Sequence, residues 1–100
     1  MADKKKTKKT YYRNGDVPRA QPTMTDNDVH AWEFDGKTII AEKGSGSVEL
    51  HERDEIVSTF TSAEAYKLGR YIYRGEGNKE SSHAQWGKML CSAAEHAAMN

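Results

Sequence analysis

Apolar and polar positions change their spacing once along this chain. From Val29 to Phe60 they alternate in short runs, and from Ala65 onward they recur every three to four residues. Val29-His30-Ala31-Trp32-Glu33-Phe34 reads as a strand and Lys37 to Lys43 as its partner. Asp35-Gly36 between two β-prone runs is the signature of a two-residue type I′ turn, which needs positive φ at both positions. Such a loop pairs Phe34 with Lys37, Trp32 with Ile39 and His30 with Ala41, and on the other face Ala31 with Ile40. Gly44-Ser45-Gly46-Ser47 reads as a flexible connector. Val48 to Glu52 alternates as a third strand, Arg53-Asp54 turns, and Glu55 to Phe60 returns as a fourth. This places Leu50 opposite Val57 and Val48 opposite Thr59.

Thr61-Ser62-Ala63-Glu64 is a capping box, in which a hydroxyl and a carboxylate satisfy orphan amides at a helix start. The helix it opens runs to about Arg74. Ala65, Leu68, Gly69, Ile72 and Tyr73 form its apolar stripe, with Tyr66 at the edge and Lys67, Arg70 and Arg74 opposite. Gly75 suits the position just past the end. Ser82 with Gln85 offers a second capping box for a helix from His83 to about Ala98. Its stripe is Trp86, Met89, Leu90, Ala93, Ala94 and Ala97.

Strands first and helices after predict an α+β fold: a small four-stranded antiparallel sheet of two hairpins, with two helices packed on one face. Residues 1–28 hold both prolines and almost no apolar residues. They read as a disordered basic tail, leaving 29–100 as a single domain. The first hairpin is apolar on both faces, with Trp32, Phe34 and Ile39 on one and Val29, Ala31 and Ile40 on the other. One helical layer covers one face, so the other is expected to meet a partner or a second copy.

Composition sharpens this. Apolar residues are 36% of the 100, below the ~45–50% usual for globular domains, and an ordered part of this size has a marginal core. A homo-oligomer or bound partner is therefore expected. No segment is apolar enough to span a membrane or serve as a signal peptide, and the single cysteine, Cys91, fits a reducing cytoplasm. Fifteen basic and fifteen acidic residues cancel overall, yet residues 1–20 hold seven basic against two acidic, a net +5 that the remainder balances with −5. The tail attracts polyanions, or folds back onto its own acidic body or that of a second copy.

Candidate chemistry is sparse. Lys4, Lys5, Lys6, Lys8 and Lys9 can neutralise phosphates, and Tyr11 and Tyr12 can stack on exposed bases, which makes the tail a candidate nucleic-acid contact. Lys67, Arg70 and Arg74 with Tyr71 beside them have the composition of a protein-binding helix face. The acidic run Glu49, Glu52, Asp54 and Glu55 can meet a basic surface. His30, His51, His83, Cys91 and His96 lack zinc-ligand spacing, Cys91 sits mid-helix away from any N-terminus that would activate it, and the serine-glycine connector lacks the lysine of a phosphate loop. No catalytic set and no cofactor is implied.

The stretch from Asp28 to Arg74, a short β-rich region leading into Thr59-Phe60-Thr61-Ser62-Ala63-Glu64-Ala65-Tyr66-Lys67-Leu68-Gly69, resembles small accessory proteins of tailed bacteriophages. The Lys-rich start and short length are similar too. The resemblance implies a protein made in an infected cell that binds and alters a host protein. Polymerases, nucleases and antiviral defence complexes, including CRISPR effectors, are the usual targets. Three functions follow as expectations: a non-enzymatic protein-binding module of the phage-inhibitor type in the bacterial cytoplasm, a nucleic-acid-associated protein using its tail, or a structural component of a viral particle.

Overall fold

Both expected hairpin turns form. Asp35 and Gly36 take φ of 55° and 80°, and Arg53 and Asp54 take 53° and 69°, the left-handed pairs that match strand twist. In this computed structural model, which describes residues 17–99, they join four of five antiparallel strands: β1 (Met24–Asp26), β2 (Val29–Phe34), β3 (Lys37–Glu42), β4 (Ser47–Glu52) and β5 (Glu55–Thr61). The sheet is a simple meander in chain order. Two helices follow, α1 (Ser62–Gly75) and α2 (Ser82–Ala98), completing the α+β order.

The strand number corrects the expectation of four. β1 forms because Asn27 adopts φ of 57°, a conformation asparagine tolerates, and turns Met24 back opposite Ala31 and Asp26 opposite Val29. Residues 17–28, assigned to the tail by composition, lie against the body. The Ala20 amide donates to Ser92 Oγ at 2.8 Å, Trp32 Nε1 donates to the Ala20 carbonyl at 2.9 Å, and Arg19 Nε meets Glu95 at 3.1 Å. The remainder of the expected disordered tail, residues 1–16, lies outside the described residues.

The β2–β3 register matches the sequence pairing residue by residue. The β4–β5 register is offset by one from the expected pairs: Val48 faces Phe60 and Leu50 faces Ser58. A bulge beside Leu50 and His51 leaves Val57 without an opposite residue. The offset turns Phe60, rather than Thr59, toward the helices. The Gly44–Ser47 stretch is likewise no free connector. At φ of 76°, Gly46 donates its N–H to the Ala97 carbonyl at 2.9 Å and accepts from the Ser62 amide at 2.9 Å, tying the end of α2 to the start of α1.

Thr61 caps α1 in the expected box, with both reciprocal hydrogen bonds present. The cap of α2 is Ser81, whose Oγ accepts from the Ala84 amide at 3.1 Å, one residue before the expected Ser82. Gly75 remains helical. The exposed carbonyls at the end of α1 are met instead by Lys79, whose Nζ donates to Tyr73 and Glu76 carbonyls at 2.7 Å each, a cation at the negative helix end.

α2 lies across β2, β3 and β4, with α1 beside it toward β5 and the 17–23 segment on its other flank. Small residues let it sit this deep: Ala84, Ala93, Ala94 and Ala97 are fully buried. Trp32, Ile39, Ala41 and Val48 rise from the sheet to meet it, and Phe34, Phe60 and Trp86 pack at the margins. The two helices cross backbone to backbone. A Cβ on Gly69 would stand 2.7 Å from the Gly87 carbonyl oxygen and 2.8 Å from Cys91 Sγ, and a Cβ on Gly87 would stand 2.7 Å from the Gly69 oxygen. Alanine in a helix is otherwise worth about 1 kcal/mol over glycine. Here the clash is with backbone and reverses the sign. Gly69→Ala and Gly87→Ala are each expected to lose about 1–3 kcal/mol, read as a lower urea midpoint at unchanged m-value.

Candidate functional site

Period-two alternation and the observed register sort every strand residue onto one of two faces. His30, Trp32, Phe34, Ile39, Ala41, Val48, Leu50 and Phe60 point to the helices. The opposite face carries three rows that run across the strands. One is Asp26–Val29–Glu42, the next Met24–Ala31–Ile40–Glu49–Thr59, the third Glu33–Thr38–His51–Ile56. No described element covers this face. Met24 is 65% exposed, Ile56 56% and Val29 37%, and Val57 at the bulge is also open to solvent.

The charges on this face have one sign. Asp26, Glu33, Glu42 and Glu49 are outward, and no lysine or arginine occupies an outward strand position among the described residues. His51 Nε2 lies 2.9 Å from Glu49 Oε1, a hydrogen bond within this face. The result is a patch of methionine and branched aliphatic side chains set among carboxylates, about 19 Å across five strands.

The residues singled out from sequence separate in space. On α1, Lys67 and Arg74 are exposed and Tyr71 is 79% exposed, so these three share the solvent face expected for them. Arg70 does not join them fully. It is half-buried, its guanidinium 5.7 Å from the Tyr66 ring centroid, and packs as much as it presents charge. The acidic run splits as well. Glu52, Asp54 and Glu55 sit at the exposed β4–β5 tip, where Glu52 opposes Glu55 and reaches Lys37 Nζ at 3.8 Å, while Glu49 belongs to the open sheet face. Lys4, Lys5, Lys6, Lys8, Lys9, Tyr11 and Tyr12 lie outside the described residues.

The sequence reading found the apolar half of the open face in Val29, Ala31 and Ile40 but not its acidic half. The signal was there: Glu33 follows Ala31 by two, and Glu42 follows Ile40 by two, which is one strand face. Only the register across strands brings Asp26 and Glu49 beside them.

On the helix side, the His30 and His96 rings stack at 3.7 Å and 11°, with Trp32 edge-on to His96. His96 Nε2 donates to the Asp28 carbonyl at 2.7 Å, which assigns its hydrogen to that nitrogen. The rings lie parallel and do not converge on a point an ion could occupy. Among the described residues, no group of three histidine, cysteine or acidic side chains gathers as metal ligands. Cys91 is buried, its Sγ 3.6 Å from the Tyr66 carbonyl. No described helix is long and apolar enough to cross a membrane.

Burial lowers the His30 pKa below its ordinary 6.5, the neighbouring His96 adds to this, and Asp28 partly opposes it. The unfolded chain therefore binds more protons than the folded one in the window below 6.5. Stability contributed by neutral His30 is present above that value and lost as pH falls. Glu95 acts in the opposite sense and at lower pH. Burial raises its pKa above 4.5 despite the Arg19 contact, so protonating it favours the fold. The thermal midpoint is expected to fall on acidification from about pH 7.5 to about pH 5.5, and His30→Gln to flatten that slope. A slope unchanged by the substitution would assign the effect elsewhere.

No described protein family, curated protein or solved structure matches the chain, so its function rests on the surfaces set out above.

Proposed function

We propose that this protein is a non-enzymatic protein-binding module whose partner docks on the open face of the sheet. The observation that carries this reading is the composition of that face: Met24, Val29, Ile40 and Ile56 among Asp26, Glu33, Glu42 and Glu49, with no outward lysine or arginine among the described residues. Apolar area gains from burial at roughly 25 cal/mol per Å², while the carboxylates choose what may bury it. A surface bearing lysine or arginine beside apolar side chains fits. A nucleic-acid backbone does not, because four carboxylates repel phosphate. This favours protein binding over the nucleic-acid alternative for the folded body.

The partner class comes from the resemblance of Asp28–Arg74 to phage accessory proteins. On that basis the partner is a host protein complex, such as a defence nuclease or a polymerase, which the module inhibits or modulates in the bacterial cytoplasm. The α1 ridge of Lys67, Tyr71 and Arg74 lies on the helical side of the molecule and is assigned a lesser, peripheral share.

The test compares partner capture by the wild-type chain and by an Ile40→Lys/Glu49→Lys variant, with circular dichroism confirming the fold. The variant is expected to bind at least roughly tenfold more weakly, since it adds two cations to a surface built to receive them. Tyr71→Ala/Arg74→Ala is expected to change affinity less than about threefold, as rim positions do. Undiminished binding by the sheet variant would remove this face as the docking site.

A further inference from the structure

We propose that the partner fills the open sheet face with a single amphipathic helix, one that carries lysine or arginine on both sides of a narrow apolar stripe. This rests on the face being the binding surface, as proposed above. The register shows why the stripe has to be narrow. Met24, Ala31 and Ile40 stand side by side on β1, β2 and β3, and Val29 lies two residues from Ala31 along β2. Carboxylates border this apolar centre on three sides, and the fourth is the sheet edge at β1. Asp26 and Glu42 flank Val29, Glu49 stands beyond Ile40 on β4, and Glu33 follows Ala31 along β2. Ala31 is only 7% exposed although no described element covers it, because the larger Met24 and Ile40 stand on either side. It is the floor of a shallow dip that a side chain from above can enter.

The backbone of the occupant decides its shape. The face of a sheet offers side chains alone, because its own N–H and C=O groups lie in the plane and bond neighbouring strands. Whatever buries Ala31 and Ile40 must bring its peptide groups already paired. A single extended segment laid on the face buries donors and acceptors that have no partners. A second sheet is paired internally, but it needs three or more strands to be stable, and that breadth presses on Glu49. A second copy seated face to face sets the four carboxylates against their equivalents. A helix pairs its interior peptide groups within itself and is about 10 Å wide. The apolar centre from β1 to β3 is also about 10 Å wide, at about 4.8 Å per strand. Along β2, Val29 to Glu33 covers about 14 Å, or about nine residues of helix. The opposite face of this sheet is covered in the same way, by α2. For a helix lying along β2 and β3, apolar residues at i, i+3 or i+4 and i+7 meet Val29, Ala31 and Ile40. Lysine or arginine on one flank reaches Asp26 and on the other Glu49, with the aliphatic stems lying over Met24 and Ile40.

The experiment titrates the full chain, ¹⁵N-labelled, with a synthetic alanine-based peptide of about 18 residues, long enough to form a helix. The peptide carries leucines at i, i+4, i+7 and i+11 and a row of lysines on each side of them. The amide signals of Ala31, Ile40 and Glu49 are expected to move while those of Lys67 and Tyr71 stay. Circular dichroism of the mixture is expected to show a gain of helix, and Ile40→Lys/Glu49→Lys to weaken binding at least roughly tenfold. Two control peptides are each expected to bind at least roughly tenfold more weakly: one with a central proline, which breaks the helix, and one with the lysines of a single flank changed to glutamate. Equal binding by either control, shifts confined to the helix side, no binding at about 1 mM peptide, or a free chain that sediments as a dimer with Ala31 and Ile40 at its interface would each overturn the inference. In any of those cases, loss of partner by Ile40→Lys/Glu49→Lys leaves the binding face standing, so the two readings fail separately.

Discussion

The depth at which α2 lies governs the rest of this structure. A helix whose Ala84, Ala93, Ala94 and Ala97 are fully buried must be enclosed on several sides at once. The sheet encloses it from below, α1 from the β5 side, and residues 17–23 from the other flank. Each enclosure is a close fit because the helix surface is made of small side chains. Gly69 and Gly87 bring the two helix backbones together with no room for a methyl group, and Ser92 receives the Ala20 amide where a larger residue would hold that segment off. Among the described residues no further element remains to cover the second face of the sheet.

That enclosure also ties the histidines to the fold. His96 sits in the last turn of α2, His30 on β2, and the Asp28 carbonyl at the β1–β2 turn holds the His96 ring. The stack thus joins the far end of the buried helix to the strand pair that carries the N-terminal segment. Two rings at 3.7 Å tolerate one added charge far better than two, which is why burial and mutual repulsion act together on His30. Trp32, held by the Ala20 carbonyl and edge-on to His96, connects the same three pieces from below.

Features encoded by adjacent residues were legible in the sequence. Asp35-Gly36 specified both a turn and a register, and Thr61 with Glu64 specified a helix start, because each acts within four residues of chain. The illegible features are those set by distant contacts. β1 is three residues long, too short for alternation to emerge, and exists because Thr23 to Asp26 can pair with β2 once 17–23 is docked on α2. The bulge at Val57 has no local signature. It follows from Phe60, not Thr59, being the side chain the core takes in. Ser81 and Ser82 are adjacent and chemically equal as caps, so tertiary fit alone chose between them. The acidic face was half legible: period two placed Glu33 and Glu42 beside their apolar neighbours, but Asp26 required a strand that had not been foreseen.

The open face has to solve two problems with one set of side chains. Branched aliphatic residues on a bare antiparallel sheet invite stacking against any other flat apolar surface, including another copy of the same protein. Lysines placed among them would discourage this equally well, and the chain carries fifteen basic residues. Among the described residues none stands at an outward strand position; Lys67, Arg70, Arg74, Lys79 and Lys88 ride on the helices and their loop, Lys43 and Arg53 lie in connections between strands, and Lys37 turns inward over the Trp86 ring at 4.7 Å. Carboxylates alone, at Asp26, Glu33, Glu42 and Glu49, repel like faces and phosphate backbones while leaving basic surfaces attracted. A face that only needed protection from self-association would gain the same benefit from mixed charges of both signs. The single sign is the feature that mere solubility leaves unexplained and that selection of a basic occupant accounts for.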